Sequence, residues 1–388
     1  MPGGLLNIIS VGNANVILTG NPSKTFFKVT YSKYTNFGLQ KFRLDFDGLR
    51  ELRITEPSKF TFKIKRYADL LMDTYVVINI PDIWSPMWSP SANTNNQWSP
   101  YNFKWIENLG AQMIEEIEII AGAQTIQKYS GQYLYAMTQR DFSQEKKELF
   151  NHMTGNVPDV CNPDNNPYRV FTSPYKSNTY PNAKYTVNSS GAEPSIRGRS
   201  LYIPLNTWFT LDSRCAFPLI ALQYQELTIN VTIRSVQDLF QVRDVFNYED
   251  DFPYIKIRPG EEQFQLYRFL QTPPSDDISS VNYDNKTNMW NADVHLLATY
   301  CFLSEEEQKS FAAQDQAYLI KEVHEYDFLN VVGSQRVKIE TTGMIADWMW
   351  YFQRNDAFMR NEWSNYSNWP YKNNIPSNIE LDPISNLY

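Results

Sequence analysis

The sequence predicts an all-β protein built as two consecutive β-sandwiches, and three observations carry that expectation. Aromatic residues make up 15% of the 388 residues, as 23 Phe, 25 Tyr and 10 Trp, and such side chains suit the pleated, half-buried surface of a sheet. Apolar and polar residues alternate with a period of two in run after run, which marks strands with one buried face. Clusters of Pro, Gly and Asn punctuate those runs where the chain must turn. A chain of this length can bury a sizeable core and divide into two or three domains.

Taken in order, Leu18 to Phe37 joins a Gly20-Asn21-Pro22 turn to an aromatic block, Phe26, Phe27, Tyr31, Tyr34 and Phe37. Phe42, Leu44 and Phe46 alternate with Arg43, Asp45 and Asp47 before Gly48, a half-buried strand ending in a turn. Phe60, Phe62 and Ile64 repeat the pattern against Thr61, Lys63 and Lys65. Tyr75 to Ile80 is apolar apart from Asn79 and predicts a strand covered on both faces. After Pro81, three Trp-Ser-Pro triplets beginning at Trp84, Trp88 and Trp98 read as a long ordered loop, because tryptophan needs burial. Ile114, Ile117 and Ile119 predict a strand up to Gly122, with Thr125-Ile126-Gln127 returning as its partner. Tyr129 to Met137 predicts a short helix. Ser143 caps a second helix through Phe150, with Glu145 in the first turn, where the helix dipole favours a negative charge. Residues 154–200 are rich in Asn, Pro, Ser and Gly without periodicity and read as a long surface excursion.

Leu201-Tyr202-Ile203 is short and β-prone, and is followed by Pro204, Trp208-Phe209 and the run Pro218-Leu219-Ile220-Ala221-Leu222-Gln223-Tyr224. Leu227, Ile229, Val231 and Ile233 alternate with Thr228, Asn230, Thr232 and Arg234, a strand expected to close the first sandwich, 24–235. The stretch 236–253, with Asp244, Glu249, Asp250, Asp251 and Pro253, reads as an acidic linker, and a second all-β set is expected over 254–388. There, Leu296 to Val323 predicts a strand to Leu303, a helical turn capped by Ser304 and rich in Glu305, Glu306 and Glu307, and a new strand from Tyr318-Leu319-Ile320. Val337, Ile339 and Trp348 to Phe352 continue the β reading, and the tail carries Trp363, Tyr366 and Trp369.

Composition excludes several functions. A net charge of −8 argues against a coat that wraps nucleic-acid phosphates directly, which needs a basic face. No 18-residue apolar run exists, so a soluble chain is expected. Residues 1–18 lack a basic leader and are broken by Asn7, Gly12, Asn13 and Asn15, unlike a signal peptide. Cys161, Cys215 and Cys301 are far apart and odd in number, which suggests neither a disulfide framework nor a zinc site. The sequons at Asn188, Asn230, Asn285 and Asn365 read as chance in a chain without a secretory signal. His152, His295 and His324 have no metal-ligand spacing, and nucleophile-elbow, phosphate-loop and dinucleotide motifs are absent. Arg197-Gly198-Arg199 reads as a surface turn. The carboxylate sets Glu115, Glu116, Glu118 and Glu305 to Glu307 read as solvated faces or a helix start rather than a glycosidase pair. No enzymatic activity, cofactor or metal is expected.

Three blocks in order, Leu18 to Phe37, Leu201 to Glu226 and Leu296 to Val323, resemble the major capsid proteins of large icosahedral nucleocytoplasmic double-stranded DNA viruses. The resemblance implies a double jelly roll with long loops and a few short helices. Eight strands are expected per jelly roll, and too few candidates follow Tyr254, so the second is expected to be incomplete in this chain. It implies a structural subunit whose homotrimers make pseudo-hexagonal capsomers that tile an icosahedral shell. The implied partners are the chain itself, neighbouring capsomers, and minor capsid and penton proteins. An internal viral membrane lies nearby, and no direct nucleic-acid contact is expected. The implied location is the virion, assembled in the host cytoplasm. Residues 1–23, with Asn21, Pro22, Phe26 and Phe27 marking the N-terminal base segment, are expected at the capsomer base. The loops 83–105 and 154–200, with Trp84, Trp88 and Trp98, are candidates for the trimer interface or exterior, since aromatics are strong anchors. Packing over their own barrel is the alternative for those loops. Two other functions fit the exposed tryptophans and asparagines: a lectin-like carbohydrate-binding sandwich, and a minor coat or spike protein of the same fold.

Overall fold

The computed structural model describes residues 35–367, except 47, 49–50, 86, 89–98, 164–179, 181–192, 223–224, 245–253, 258–259, 262–263, 273–282 and 341–344. Eight strands among the described residues form its centre: β1 (Gly38–Leu44), β2 (Ser58–Lys63), β3 (Leu70–Ile80), β4 (Ile114–Ala121), β5 (Gln124–Tyr129), β6 (Arg199–Pro204), β7 (Leu227–Ile233) and β8 (His295–Phe302). One sheet has the order β1-β8-β3-β6 and the other β2-β7-β4-β5, with all pairings antiparallel. The short segment Phe217–Pro218 also pairs with the start of β3, and eight main strands that cross between two sheets, apart from the β4–β5 hairpin, make the jelly-roll arrangement. Helices are few and include α1 (Gly131–Asp141), α2 (Gln144–Thr154) and α3 (Glu305–Ala313). Among the described residues no helix is long and apolar enough to cross a membrane.

Register puts the apolar side chains in rows. Across the first sheet Leu44 pairs with Leu296, Leu296 with Val76, and Val76 with Ile203. Across the second, Phe60 pairs with Val231, Val231 with Ile117, and Ile117 with Tyr129. All eight are buried in one continuous core. The Phe46 ring packs edge-on to Phe60 at 4.7 Å and to Phe62 at 5.6 Å. A period of two with one face buried fixes this register, because a slip of one residue would turn every row to solvent. The β4–β5 hairpin turns at Gly122, whose φ of 64° favours glycine. Ser130 and Ser143 cap α1 and α2 by accepting from the amides of Tyr133 and Lys146.

The outer face of the second sheet gives a pH-dependent contribution. Glu118 accepts hydrogen bonds from Asn230 Nδ2 at 3.1 Å and Thr125 Oγ1 at 2.9 Å. These hold its carboxyl below the ordinary value of 4.5. A carboxylate depressed by folding stabilises fully above its unfolded pKa, and that contribution is lost as pH falls through the lower folded value. Glu118→Gln is therefore expected to lower the melting temperature near neutral pH and to cost less at about pH 3. An equal difference at both pH values in thermal unfolding would contradict this.

Several expectations are corrected. The strand Leu227–Ile233 lies inside the second sheet, between β2 and β4, and does not close the sandwich. The closing strand is β8, which the sequence placed in the second sandwich. It lies between β1 and β3, and its inward residues Leu296, Ala298 and Tyr300 are fully buried. The boundary at 236–253 falls within a connection of one sandwich: Phe240–Arg243 pairs with both Phe103–Trp105 and Tyr254–Ile255 in a small third sheet. Tyr254 therefore opens no new domain. Tyr318 to Ile320, Val337, Ile339 and Trp348 to Phe352 form no strand, because they have no ladder partner among the described residues.

Candidate assembly surfaces

The loop that follows β3 begins on the sandwich rim. Trp84 is half-buried and its backbone N–H donates to the Phe269 carbonyl at 2.8 Å. With Asp82, Tyr267, Asn285, Thr287 and Trp290 it lines an open cleft of about 270 Å³. The Ser85 hydroxyl lies 2.8 Å from that of Tyr180, which donates to the Phe103 carbonyl and accepts from the Phe103 N–H. Met87–Trp88 pairs with Ser99–Pro100, which makes the loop a small two-stranded tongue. Tyr101, Phe103 and Trp105 return into the core and are essentially inaccessible. For the last part of 83–105 the large apolar rings complete the sandwich, which is the packing alternative for this loop. Trp98, most of 154–200, and Asn21, Pro22, Phe26 and Phe27 lie outside the described residues.

The run Pro218 to Tyr224 is not one strand. Phe217–Pro218 pairs with Leu70 and Leu71 at the start of β3, and Leu219–Ala221 forms a short 3₁₀ turn. Leu219 is buried, Ile220 and Leu222 are half-buried and Ala221 is exposed, while Gln223 and Tyr224 lie outside the described residues. Ile220 N–H donates to Asp69 O, so this motif fastens one end of the first sheet.

After α3 the described chain is held to the sandwich by polar contacts and turns apolar side chains outward. Gln127 Nε2 donates to the Lys321 carbonyl at 3.1 Å. Glu325 Oε1 accepts from Ser130 N–H and Oγ, a carboxylate set at the start of α1 where the helix dipole favours it. Asp347 lies 3.2 Å from both Arg140 and Lys321. Leu319 is 97%, Trp350 79% and Phe352 74% exposed. Trp350 and Phe352 meet edge to face with ring centroids 5.7 Å apart. Burial pushes the Tyr351 and Tyr366 hydroxyls upward where their rings meet at 5.2 Å.

A strap at 357–366, which sequence reasoning missed, bolts the far end of the described chain to the first sandwich. Asn361, in the left-handed region at φ 59°, donates through Nδ2 to the carbonyls of Gln237 at 2.6 Å and Phe240 at 2.8 Å. Trp363 Nε1 donates to the Asp238 carbonyl at 2.9 Å, and the Arg234 guanidinium lies 4.1 Å over its ring. Burial lowers the Arg234 pKa, opposed by the nearby Glu115 and Asp238 carboxylates, and its Nε donates to the Gln112 carbonyl at 2.8 Å. Gln241 Nε2 donates to the Arg360 carbonyl. Asn361 preceding Trp363 is the available signal, but its partners are distant backbone carbonyls that carry no sequence mark.

Potential chemistry is sparse. Among the described residues no three His, Cys, Asp or Glu side chains converge as a metal site. His295 Nδ1 sits 2.6 Å from the Asp293 carbonyl, and His324 lies 3.6 Å from Glu322. All three cysteines are free thiols, and burial pushes that of Cys301 upward. Asn230 and Asn365 are buried, Asn285 is exposed, and Asn188 lies outside the described residues.

Residues 25–268 match the family described as "Major capsid protein N-terminus". The chain is 30% identical over 241 residues to the major capsid protein of Phaeocystis pouchetii virus, covering 61% of this chain and 42% of that protein. It is 27% identical over 323 residues to capsid protein 1 of Acanthamoeba polyphaga mimivirus, covering 83% and 44%. It thus spans less than half the length of these curated relatives. The Faustovirus major capsid protein structure superposes with a TM-score of 0.45 at 11% identity, over 80% of this chain and 64% of that one. With the match covering more than half its length, the chain belongs to the major capsid protein family of large nucleocytoplasmic double-stranded DNA viruses.

Proposed function

We propose that the protein is a structural subunit of a viral shell, without enzymatic activity, assembling as homotrimeric, pseudo-hexagonal capsomers. The observation that carries this reading is the full eight-strand jelly roll lying within a chain whose residues 25–268 match the capsid family. A jelly roll keeps its core between two sheets, so its loops can lengthen toward neighbours without disturbing the fold. The apolar positions Val337 and Ile339 and the aromatic stretch Trp348 to Phe352, exposed or half-buried, fit the opening of a second jelly roll that follows α3. Residues 1–23 are the proposed contact at the capsomer base, facing minor capsid proteins and an internal membrane, and Trp84 and Trp88 are proposed anchors on the outer rim. Neighbouring capsomers and penton proteins complete the partner set, in a shell assembled in the host cytoplasm.

A deletion separates folding from assembly. Removing residues 1–22 is expected to leave the unfolding midpoint unchanged, since the core rows begin at β1, and to reduce association beyond the capsomer in sedimentation. Unfolding of the shortened protein would overturn that division of labour.

A further inference from the structure

Three stretches of chain enclose the open cleft beside Trp84, and hydrogen bonds hold them in place. Trp84 N–H donates to the Phe269 carbonyl at 2.8 Å, and Gly198 N–H donates to Asp82 Oδ1 at 2.7 Å. Gln271 Nε2 donates to the carbonyls of Tyr267 and Asn285, and its Oε1 accepts from Asn285 N–H at 3.3 Å, which ties the turn at 285 to residues 267–271. Asn285 Oδ1 accepts from Thr287 N–H at 2.9 Å, an Asx turn that fixes the side chain. The Trp290 ring is fixed as well, since its Nε1 donates to the Asn79 carbonyl at 2.9 Å and Trp105 of the core lies edge-on at 6.1 Å. Both lining indoles, Trp84 and Trp290, are half-buried and keep accessible surface.

The lining selects a class of ligand. Among the described residues that line the cleft, Asp82 carries the only charge, so a phosphate, sulfate or carboxylate would meet a like charge with no cation to hold it. Aromatic rings present a negative face that attracts polarised C–H groups. Asp82 Oδ2 and Asn285 Nδ2 have no hydrogen-bond partner among the described residues, and a purely apolar ligand would cover both unpaired, which is costly. We propose that the cleft binds a neutral hexopyranose, its C–H face on the Trp84 and Trp290 indoles, one hydroxyl donating to the Asp82 carboxylate and another accepting from Asn285 Nδ2. The volume of about 270 Å³ lies just below the range of about 300 to 1,000 Å³ that drug-sized ligands occupy, which suits a single sugar ring. Such binding needs one chain alone and does not depend on the shell reading.

Saturation-transfer NMR and calorimetry on the full chain test it, with the methyl glycosides of glucose, galactose, mannose and N-acetylglucosamine as probes and N-acetylneuraminic acid as the acidic control. At least one neutral probe is expected to bind saturably, with a dissociation constant on the order of 1 mM. Asp82→Asn, which keeps an oxygen for Gly198 N–H, is expected to weaken that binding about fivefold. Trp84→Leu is expected to weaken it about tenfold. Because Trp84 Nε1 has no partner among the described residues, that change strips no hydrogen bond from the fold, and thermal unfolding of both variants confirms that they are folded. No saturable signal from any neutral probe, equal affinity for the acidic control, or affinity unchanged in Asp82→Asn would overturn the proposal.

Discussion

A chain ended at residue 253 is expected to be unfolded, with circular dichroism lacking a cooperative transition, although that position reads in the sequence as a domain boundary. The cut removes β8, which lies between β1 and β3, and leaves β1 without a ladder and β3 open along one edge. It also removes the buried side chains of Leu296 and Tyr300 along with Ala298. Burial of a large apolar side chain is worth about 1.5 to 3 kcal/mol. Loss of two, with the hydrogen bonds of two strand pairings, approaches the total stability of about 5 to 15 kcal/mol that a domain has. A cooperative, folded fragment ending at 253 would show that β8 is dispensable and that the boundary is real.

Gly131→Ala is expected to be the most damaging single-methyl change, lowering stability by about 3 kcal/mol or more. Gly131 is the first residue of α1, and an added Cβ would overlap the backbone carbonyl oxygens of Ala111 and Ile114. Those carbonyls belong to the short helix Leu109–Gln112 and to the first residue of β4. Relief requires the helix to withdraw from the sheet, since no flexible side chain is available to move. Gly260→Ala, where a Cβ meets nothing within 4 Å, is the matched control. Chemical denaturation of both checks the contrast, and equal stabilities would contradict the close approach.

Where one face is buried and the other wet, the sequence shows the strand plainly: β2, β4 and β7 follow from the alternation of Phe60 and Phe62, of Ile117 and Ile119, and of Ile229 and Val231. The β4–β5 hairpin is equally legible, because Gly122 supplies a positive φ that few residues tolerate. Which sheet a strand joins is not legible. β8 was recognised as a strand yet assigned to the wrong sandwich, because a jelly roll draws its closing strand from a distant part of the chain. The stretch 236–253 reads as a linker because it is acidic, while Phe240 and Val242 within it are buried in the core. The run Trp348 to Phe352 has strand composition, but composition supplies no partner for its backbone.

The candidate surfaces were partly legible for the same reasons. Trp84 reads in the sequence as a loop aromatic for an interface or the exterior and sits half-buried in the structure, whereas Phe103 and Trp105, in the same stretch, are core. Aromatic type signals burial but not which body does the burying. The Asn361 and Trp363 strap escaped notice because side-chain bonds to carbonyls 121 to 125 positions away have no periodic trace.

The most direct measurement is the native mass of the purified protein. The account predicts a species three times the 45.4 kDa of the chain, stable on dilution and imaged as a pseudo-hexagonal particle. A folded monomer of 45.4 kDa that stays dispersed at high concentration would contradict the role as a shell subunit.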